Sequence, residues 1–599
     1  MTIASYFRLS YSVIFGFILI SACAKISSPS GGPKDVLPPV VVKSEPASGA
    51  KNFSGKRFVV TFNEYIELRN VNEKFMVSPP MQRRPEISVR GKNLVVEYDD
   101  KLRDSTTYTF YFQDAIRDLN EGNPIDNYSF VFSTGPVIDS LSLTGNVLNA
   151  FDLNPPENTL VMLYSDLTDS AFIKKIPDYI SKADKNGYFR IDNIKEGIYR
   201  IFALIDADNT KNYSLHDEEI AFRDSLVHIS PDKDFLPDSK DTAGMKSVQS
   251  ALTDTLIHKG EYKLFLFKPF KKNYYLTSSS RQQANKMIFT LSMPPDSMEF
   301  SFSLPGTEEN RWLAEKSRDK DTLLIWLKDS SLYSQPVLKA LIRYPFTDST
   351  GTIIIKEDTA QMRFLAPRVT RGTRKPEPYR VISTASSGKL IPGQAISFLS
   401  QTPFREPDTS AIKLYRLTNT EEKERLSFKL TPDSINSCRI LLNADFLQGE
   451  NYLLITDSAA FGDIYGAKND SAGIKFSIRD RSSFGKLIVN INNYEGKRII
   501  QLLSSEEKLI REISMDRDGK AEFPYLEKGM YRLKIIYDLN GDGKWTTGDF
   551  ESGRQPEPVS FMPMEIEIKE NWENELFWDV SAMHVKKFRN TSDVSRTRR

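Results

Sequence analysis

A chain of 599 residues is too long for one hydrophobic core, and its length predicts about four or five domains. Its 80 Lys and Arg balance 79 Asp and Glu, so no global field points to nucleic acid or an anionic lipid surface. Four His in so long a chain argue against a His-rich metalloenzyme.

Residues 1–22 read as a targeting segment. Arg8 is its only positive charge, and Tyr11 to Ile20 is mostly apolar but shorter than the about 20 residues a spanning helix needs. It ends Leu19-Ile20-Ser21-Ala22-Cys23. Small residues before a cysteine resemble a bacterial lipobox, which implies cleavage before Cys23 and acylation of its new N-terminus and thiol. An ordinary signal peptide with an incidental cysteine is the plainer alternative. Several acyl chains, at about 0.8 kcal/mol per buried methylene, hold a protein on a membrane stably. Cys438 is then left without an intramolecular disulfide partner, and in Cys438-Arg-Ile-Leu-Leu442 it reads as a small core residue.

Residues 23–39 are rich in Ser, Pro and Gly and form a lipidated, flexible tether. Cys-Ala, then Gly-Gly-Pro-Lys-Asp and Pro-Pro, resembles the start of Bacteroidota lipoproteins that carry Ig-like domains. That resemblance implies a lipid anchor in the outer membrane. Ala24 is not the Asp that in some bacteria retains lipoproteins in the inner membrane. Lys25 is followed by Ile26, so the periplasmic and surface faces both stay open.

Residues 40–135 show Phe58-Val-Val-Thr-Phe62, Leu94-Val-Val-Glu-Tyr98 and Thr107-Tyr-Thr-Phe-Tyr-Phe112 as strands. A turn at Asp118-Leu-Asn-Glu-Gly-Asn123 follows, and Phe130-Val-Phe-Ser-Thr134 closes the domain. Short alternating strands between turn signals mean a β-sandwich. The order resembles the bacterial Ig-like domain of S-layer and surface proteins.

A shift of 332 residues carries Asp184, Gly187, Gly197, Tyr199, Arg200, Asp206 and Asp217 onto Asp516, Gly519, Gly529, Tyr531, Arg532, Asp538 and Asp549 without a gap. So long an ungapped repeat marks a duplicated structural unit. Each copy reads as a turn, a short strand, a second turn and a longer aromatic, β-branched strand. The pattern resembles the transthyretin-like β-sandwich of the carboxypeptidase regulatory family, placed at 136–235 and again at 481–582. Residues 236–366 hold further strands, among them Tyr262 to Phe267, and an echo at Tyr344, Asp348 and Gly351, read as a second Ig-like domain. Residues 367–480 repeat the Ig-like order, with Tyr452, Asp463, Gly466 and Phe476. The predicted class is all-β, a string of β-sandwiches that ends in a basic, disordered tail at 583–599.

Within the second copy, Asp538, Asn540, Asp542 and Asp549 fall at positions 1, 3, 5 and 12 of a loop with Gly543 at 6, and the Lys544 carbonyl at 7. This spacing suits Ca²⁺, since a sharp turn at Gly aims alternate oxygens inward. An Asx-rich turn with Trp545 packed beneath it is the alternative. The matching loop has Asp206, Asp208, Asn212 and Asp217, but Lys211 replaces the Gly and makes it the poorer candidate. His216 to Glu219 spells H-x-x-E, yet a catalytic zinc needs a third protein ligand and a supporting shell, and no such motif accompanies it. No G-x-S-x-G elbow, P-loop or Cys–His nucleophile context occurs.

These features lead to a noncatalytic cell-envelope lipoprotein, anchored in the outer membrane, acting as a scaffold or binding protein for an envelope protein or glycan, with no nucleic-acid role. A subunit of an envelope assembly or secretion complex is one alternative. An accessory hydrolase with an unrecognised site is another. Paired carboxylates about 5–9 Å apart in one cleft would mark the hydrolase.

Overall fold

Alternation of buried and exposed side chains recurs through the computed structural model, which describes residues 35–231, 261–365, 379–418, 423–583 and 586. Nearly all its regular elements are strands, arranged as a multidomain string of β-sandwiches, as the sequence pattern predicts. Cys23, the signal segment, most of the tether and most of the tail lie outside these residues, as do His258 and His584.

The first sandwich shows how the pattern becomes a core. In Arg57–Phe62, Phe58, Val60 and Phe62 point inward while the residues between face out. One sheet runs Val41–Glu45, Arg57–Phe62, Asn93–Glu97, Glu86–Arg90; the other runs Met76–Ser78, Thr107–Gln113, Tyr128–Ser133. Phe58 stacks on Phe130 across the core, with ring centroids 4.0 Å apart. The Tyr108 hydroxyl accepts a hydrogen bond from the Arg103 N–H at 2.8 Å. In the fourth sandwich, Tyr452 accepts from Leu447 N–H at 2.6 Å, also five residues upstream. Both are tyrosine corners of the Ig-like kind.

The Asp…Gly turns have a physical cause. Asp118, 1 % exposed, accepts the N–H groups of Glu121, Gly122 and Asn123 at 2.6, 3.0 and 2.7 Å. Asp463 accepts those of Tyr465 and Ala467 at 3.0 and 2.8 Å, and the Thr402 hydroxyl at 2.7 Å. Asp348 differs. It closes the tight turn of a long hairpin, Val337–Thr347 against Ile353–Arg363, so the Tyr344…Asp348…Gly351 echo arises from a hairpin rather than a buried loop.

The two repeated modules have the same topology. In the first, Leu141–Asn149 lies between Tyr188–Ile194 and the parallel strand Glu261–Leu266; in the second, Gly485–Asn492 lies between Gly519–Leu526 and the parallel strand Glu573–Asp579. The facing sheets match as well. Gly197–Leu204 pairs with Leu160–Tyr164, Ile220–Phe222 and Val227–Ile229, and Gly529–Tyr537 pairs with Arg498–Ser504, Val559–Phe561 and Ile566–Ile568.

This topology corrects one boundary. Tyr262 to Phe267, assigned from sequence to the domain beginning at 236, is an edge strand of the preceding module. Leu264 and Leu266 complete that module's core with Val147, Ile191 and Ile201. A parallel partner is reached only by a long connection, so its position in sequence says little about which sheet it joins.

The third sandwich then begins at Leu276–Gln283. It has sheets Leu276–Gln283, Lys286–Leu291, Thr322–Leu327, Trp312–Lys316 and Ser301–Ser303, Val337–Thr347, Ile353–Arg363. The fourth places Ile396–Leu399 beside Arg439–Asn443, itself beside Lys429–Pro432, opposite Asn451–Thr456.

Candidate metal loops and the interface between the repeated modules

Each loop follows the central strand of its module. At the turn, Asp538 accepts N–H bonds from Gly541 and Asp542 on Oδ1 (2.6 and 3.1 Å) and from Gly543 on Oδ2 (3.0 Å). Asp206 does the same with Thr210 on Oδ1 (3.1 Å) and Lys211 on Oδ2 (2.9 Å). Lys211 adopts a φ of 61° where Gly543 has 78°, so replacing Gly by Lys keeps the turn at the cost of left-handed strain in a residue with a side chain.

A second carboxylate sits beneath each loop, and the ungapped alignment does not reveal it. Glu557, 4 % exposed, accepts the N–H groups of Leu539 and Asn540 on Oε1 and of Thr546 on Oε2. Glu218, 3 % exposed, accepts those of Ala207 on Oε1 and of Ser214 and Leu215 on Oε2. The two are 339 positions apart because residues 550–556 are extra in the second copy. The strand pairings show the slip: Phe202 faces Phe222, whereas its counterpart Lys534 faces Phe561. Burial pushes the Glu557 carboxyl above its usual range, against the pull of its N–H donors.

The oxygens converge differently in the two loops. Asp206, Asp208 and Glu218 bring carboxylate oxygens within 4.8 Å of one another, the one such group of three among the described residues. Burial, with the neighbouring Asp208 and Glu218 adding to it, raises the Asp206 carboxyl above its ordinary value, against its N–H bond from Lys211. Asn540 stands where Asp208 does. Its Nδ2 donates to Asp542 Oδ2 (3.2 Å) and to Thr546 Oγ1 (2.8 Å), and its Oδ1 accepts from Asp542 N–H (2.9 Å).

Asp549 turns toward its own loop, accepting from Glu551 N–H and the Ser552 hydroxyl. Lys544 donates its N–H to Asp542 at 3.0 Å. Asp217 lies at the surface, 4.0 Å from Lys268, and Asn212 donates to the Ile173 carbonyl. The sequence ranked the second loop ahead of the first. The structure assembles a carboxylate trio in the first, because position 3 is an acid there and an amide in the second. His216 is exposed, with its ring against Tyr213.

The extra residues of the second copy, with the end of the loop just before them, make an interface. Phe550 stands edge-on to Phe172, Phe222 and Tyr213, with centroids 5.5, 5.6 and 5.8 Å away, on the outer face of the first module. Gly548 lies so close to Phe267 that a Cβ there would come within 2.5 Å of the ring. The Thr547 hydroxyl donates to the Lys268 carbonyl at 2.8 Å, and Gln555 donates to the Phe222 carbonyl at 3.1 Å and to Asp224 at 2.9 Å. In return, Phe151 of the first module packs edge-on against Trp545, centroids 5.0 Å apart, and Leu153 joins Ile499, Leu503, Ile536 and Phe561 of the second. Trp545 therefore bridges the modules and also donates to the Glu557 carbonyl at 2.9 Å.

No curated protein sequence matches the chain. Among solved structures, SGBP-B of the Bacteroides ovatus mixed-linkage glucan utilization locus is 10 % identical, over 63 % of this chain and 86 % of that one, with a TM-score of 0.16. The S-layer protein SbsC is 9 % identical over 86 % and 67 %, with a TM-score of 0.13. Escherichia coli alpha-2-macroglobulin is 12 % identical over 44 % and 93 %, with a TM-score of 0.18. At such values these neighbours carry no inference about ligand or activity. The bacterial Ig-like domain family model matches residues 35–134, the sandwich held by the Tyr108 corner and the Asp118 turn.

Proposed function

We propose that this chain is a noncatalytic lipoprotein, held in the outer membrane through Cys23, whose sandwiches act as a scaffold or binding surface for another envelope component. The observation that carries the reading is the order of parts. Leu19-Ile20-Ser21-Ala22-Cys23 is followed by a short Ser/Pro/Gly tether and then directly by the Ig-like sandwich. The repeated modules are transthyretin-like in this reading. Its noncatalytic side is supported by the buried carboxylates: Asp118, Asp463, Asp538 and Glu557 are taken up by backbone N–H groups of their own turns. Ca²⁺ is the cation that suits Asp206, Asp208 and Glu218, an all-oxygen set.

Metabolic labelling with radioactive palmitate, combined with Cys23→Ser, tests the anchor. Label and membrane retention are expected in the wild type and should both be lost in the variant. A variant that stays in the membrane fraction through high-salt and carbonate washes removes the lipoprotein reading.

A further inference from the structure

Between the third and fourth sandwiches runs a cleft of about 860 Å³, within the roughly 300–1,000 Å³ of small-ligand sites. One wall is the outer face of the sheet carrying Lys286, Glu315 and Trp326; the other is the hairpin of Lys429–Pro432 and Arg439–Asn443. The walls are joined where Ser437 N–H donates to Glu315 Oε1 at 2.8 Å and Tyr465 donates to the Asn285 carbonyl at 3.5 Å.

The charges in the cleft are unequal in their engagement. Glu315 also accepts from Trp326 Nε1 at 3.2 Å, and Asp433 pairs with Arg439 at 3.5 Å while accepting the Ile435 and Asn436 N–H groups. Both acids are thus occupied. Lys316 and Arg318 are exposed at the mouth, and Lys286 lies 4.5 Å over the Trp326 ring; none of these three cations has a carboxylate partner among the described residues. The cleft therefore presents a positive face.

Two strands bordering it are sheet edges. Among the described residues, Trp312–Lys316 pairs only with Thr322–Leu327, and Lys429–Pro432 only with Arg439–Asn443. An edge strand offers free main-chain donors and acceptors to another extended chain. A sugar would want an open aromatic face instead. Trp326 is the one aromatic residue lining the cleft among the described residues, and it is 2 % exposed with Lys286 over it.

We propose that this cleft binds an extended acidic peptide segment of another protein, with its carboxylates on Lys286, Lys316 and Arg318 and its main chain along a free strand edge. The inference rests on the binding-protein reading above and names its partner class.

The test uses the full chain in detergent and a fluorescein-labelled peptide of alternating Glu and Thr, followed by anisotropy at low salt. Saturable binding is expected, weakened about tenfold by Lys316→Glu with Arg318→Glu, since reversing two exposed charges turns attraction into repulsion that low salt leaves unscreened. Lys51→Glu, on the first sandwich, should leave it unchanged. Bound peptide should also slow alkylation of Cys438, which lines the cleft. A peptide with alternate backbone nitrogens methylated should bind poorly. Equal binding of the methylated peptide, or equal competition by polygalacturonate, would show a general polyanion surface and overturn the proposal. Absence of binding, or indifference to the charge reversals in variants with unchanged melting, would overturn it too. None of these results alters the membrane retention read with Cys23→Ser, so the two readings fail separately.

Discussion

The Lys534 ammonium lies 3.0 Å from the centroid of the Phe151 ring, one repeated module placing its cation on an aromatic face of the other. Lys534 is 2 % exposed. Burial lowers its pKa to about 7, helped by the nearby Lys586 and opposed by Asp152 and Glu507. Its counterpart in the first module is Phe202, so the cation is a feature of one copy alone.

Below about 7, Lys534 is charged whether the modules are docked or apart, and the cost of burying the charge is fully present. Between that value and the ordinary 10.5, only the separated state holds the proton, so docking strengthens as pH rises. Calorimetry should show Tm increasing from neutral pH toward mildly alkaline pH. Lys534→Met should raise Tm at neutral pH and flatten that slope. An unchanged slope would place the titration elsewhere.

Phe550 should hold the modules together. Phe550→Ala removes a ring packed against Phe172, Tyr213 and Phe222, at a cost of about 2–4 kcal/mol for a largely buried aromatic. Gly548→Val should act in the same direction by colliding with Phe267. In both variants the melting of the two repeated modules should separate into distinct transitions, with earlier proteolysis between them. A single transition at the wild-type temperature would mean that the contact adds nothing to stability.

Ca²⁺ should act mainly at the first loop. Ligand at a hundredfold excess over Kd stabilises by about 2.7 kcal/mol. The full chain should therefore melt higher in Ca²⁺ than in EDTA, and Asp208→Asn, which copies Asn540, should remove most of the difference. Asp542→Asn should remove less. Identical melting in Ca²⁺ and EDTA would leave both loops as hydrogen-bonded turns.

Cys438 should alkylate slowly at neutral pH. Burial, with Glu315 adding to it, pushes its thiol up to about 11, which leaves little thiolate. Mass mapping after iodoacetamide should show a rate that climbs steeply with pH and rises further on denaturation. The cysteine is nonetheless half-buried at the cleft, which corrects the core position that its sequence context suggested. The strand starts at Arg439, so inward alternation begins with Ile440 and Leu442, and Cys438 belongs to the preceding turn.

Sequence by itself determined whatever depends on neighbours along the chain. Alternation in Phe58-Val-Val-Thr-Phe62 sets which residues enter a core, because successive side chains of a strand face opposite ways. The repeat carried Asp206 onto Asp538, and both close the same backbone turn, because that turn is built from N–H groups within five residues of the carboxylate. Only tertiary structure decided the contacts made across the chain. The extra residues at 550–556 hid the match of Glu218 with Glu557, since an ungapped comparison cannot see that both reach back under a preceding loop. The return of Glu261–Leu266 to the sheet of Leu141–Asn149 depends on a parallel pairing with no local signal. The contacts of Phe151, Lys534 and Phe550 arise only where the two copies meet, because packing between modules is set by the shapes of both faces and not by the pattern of either.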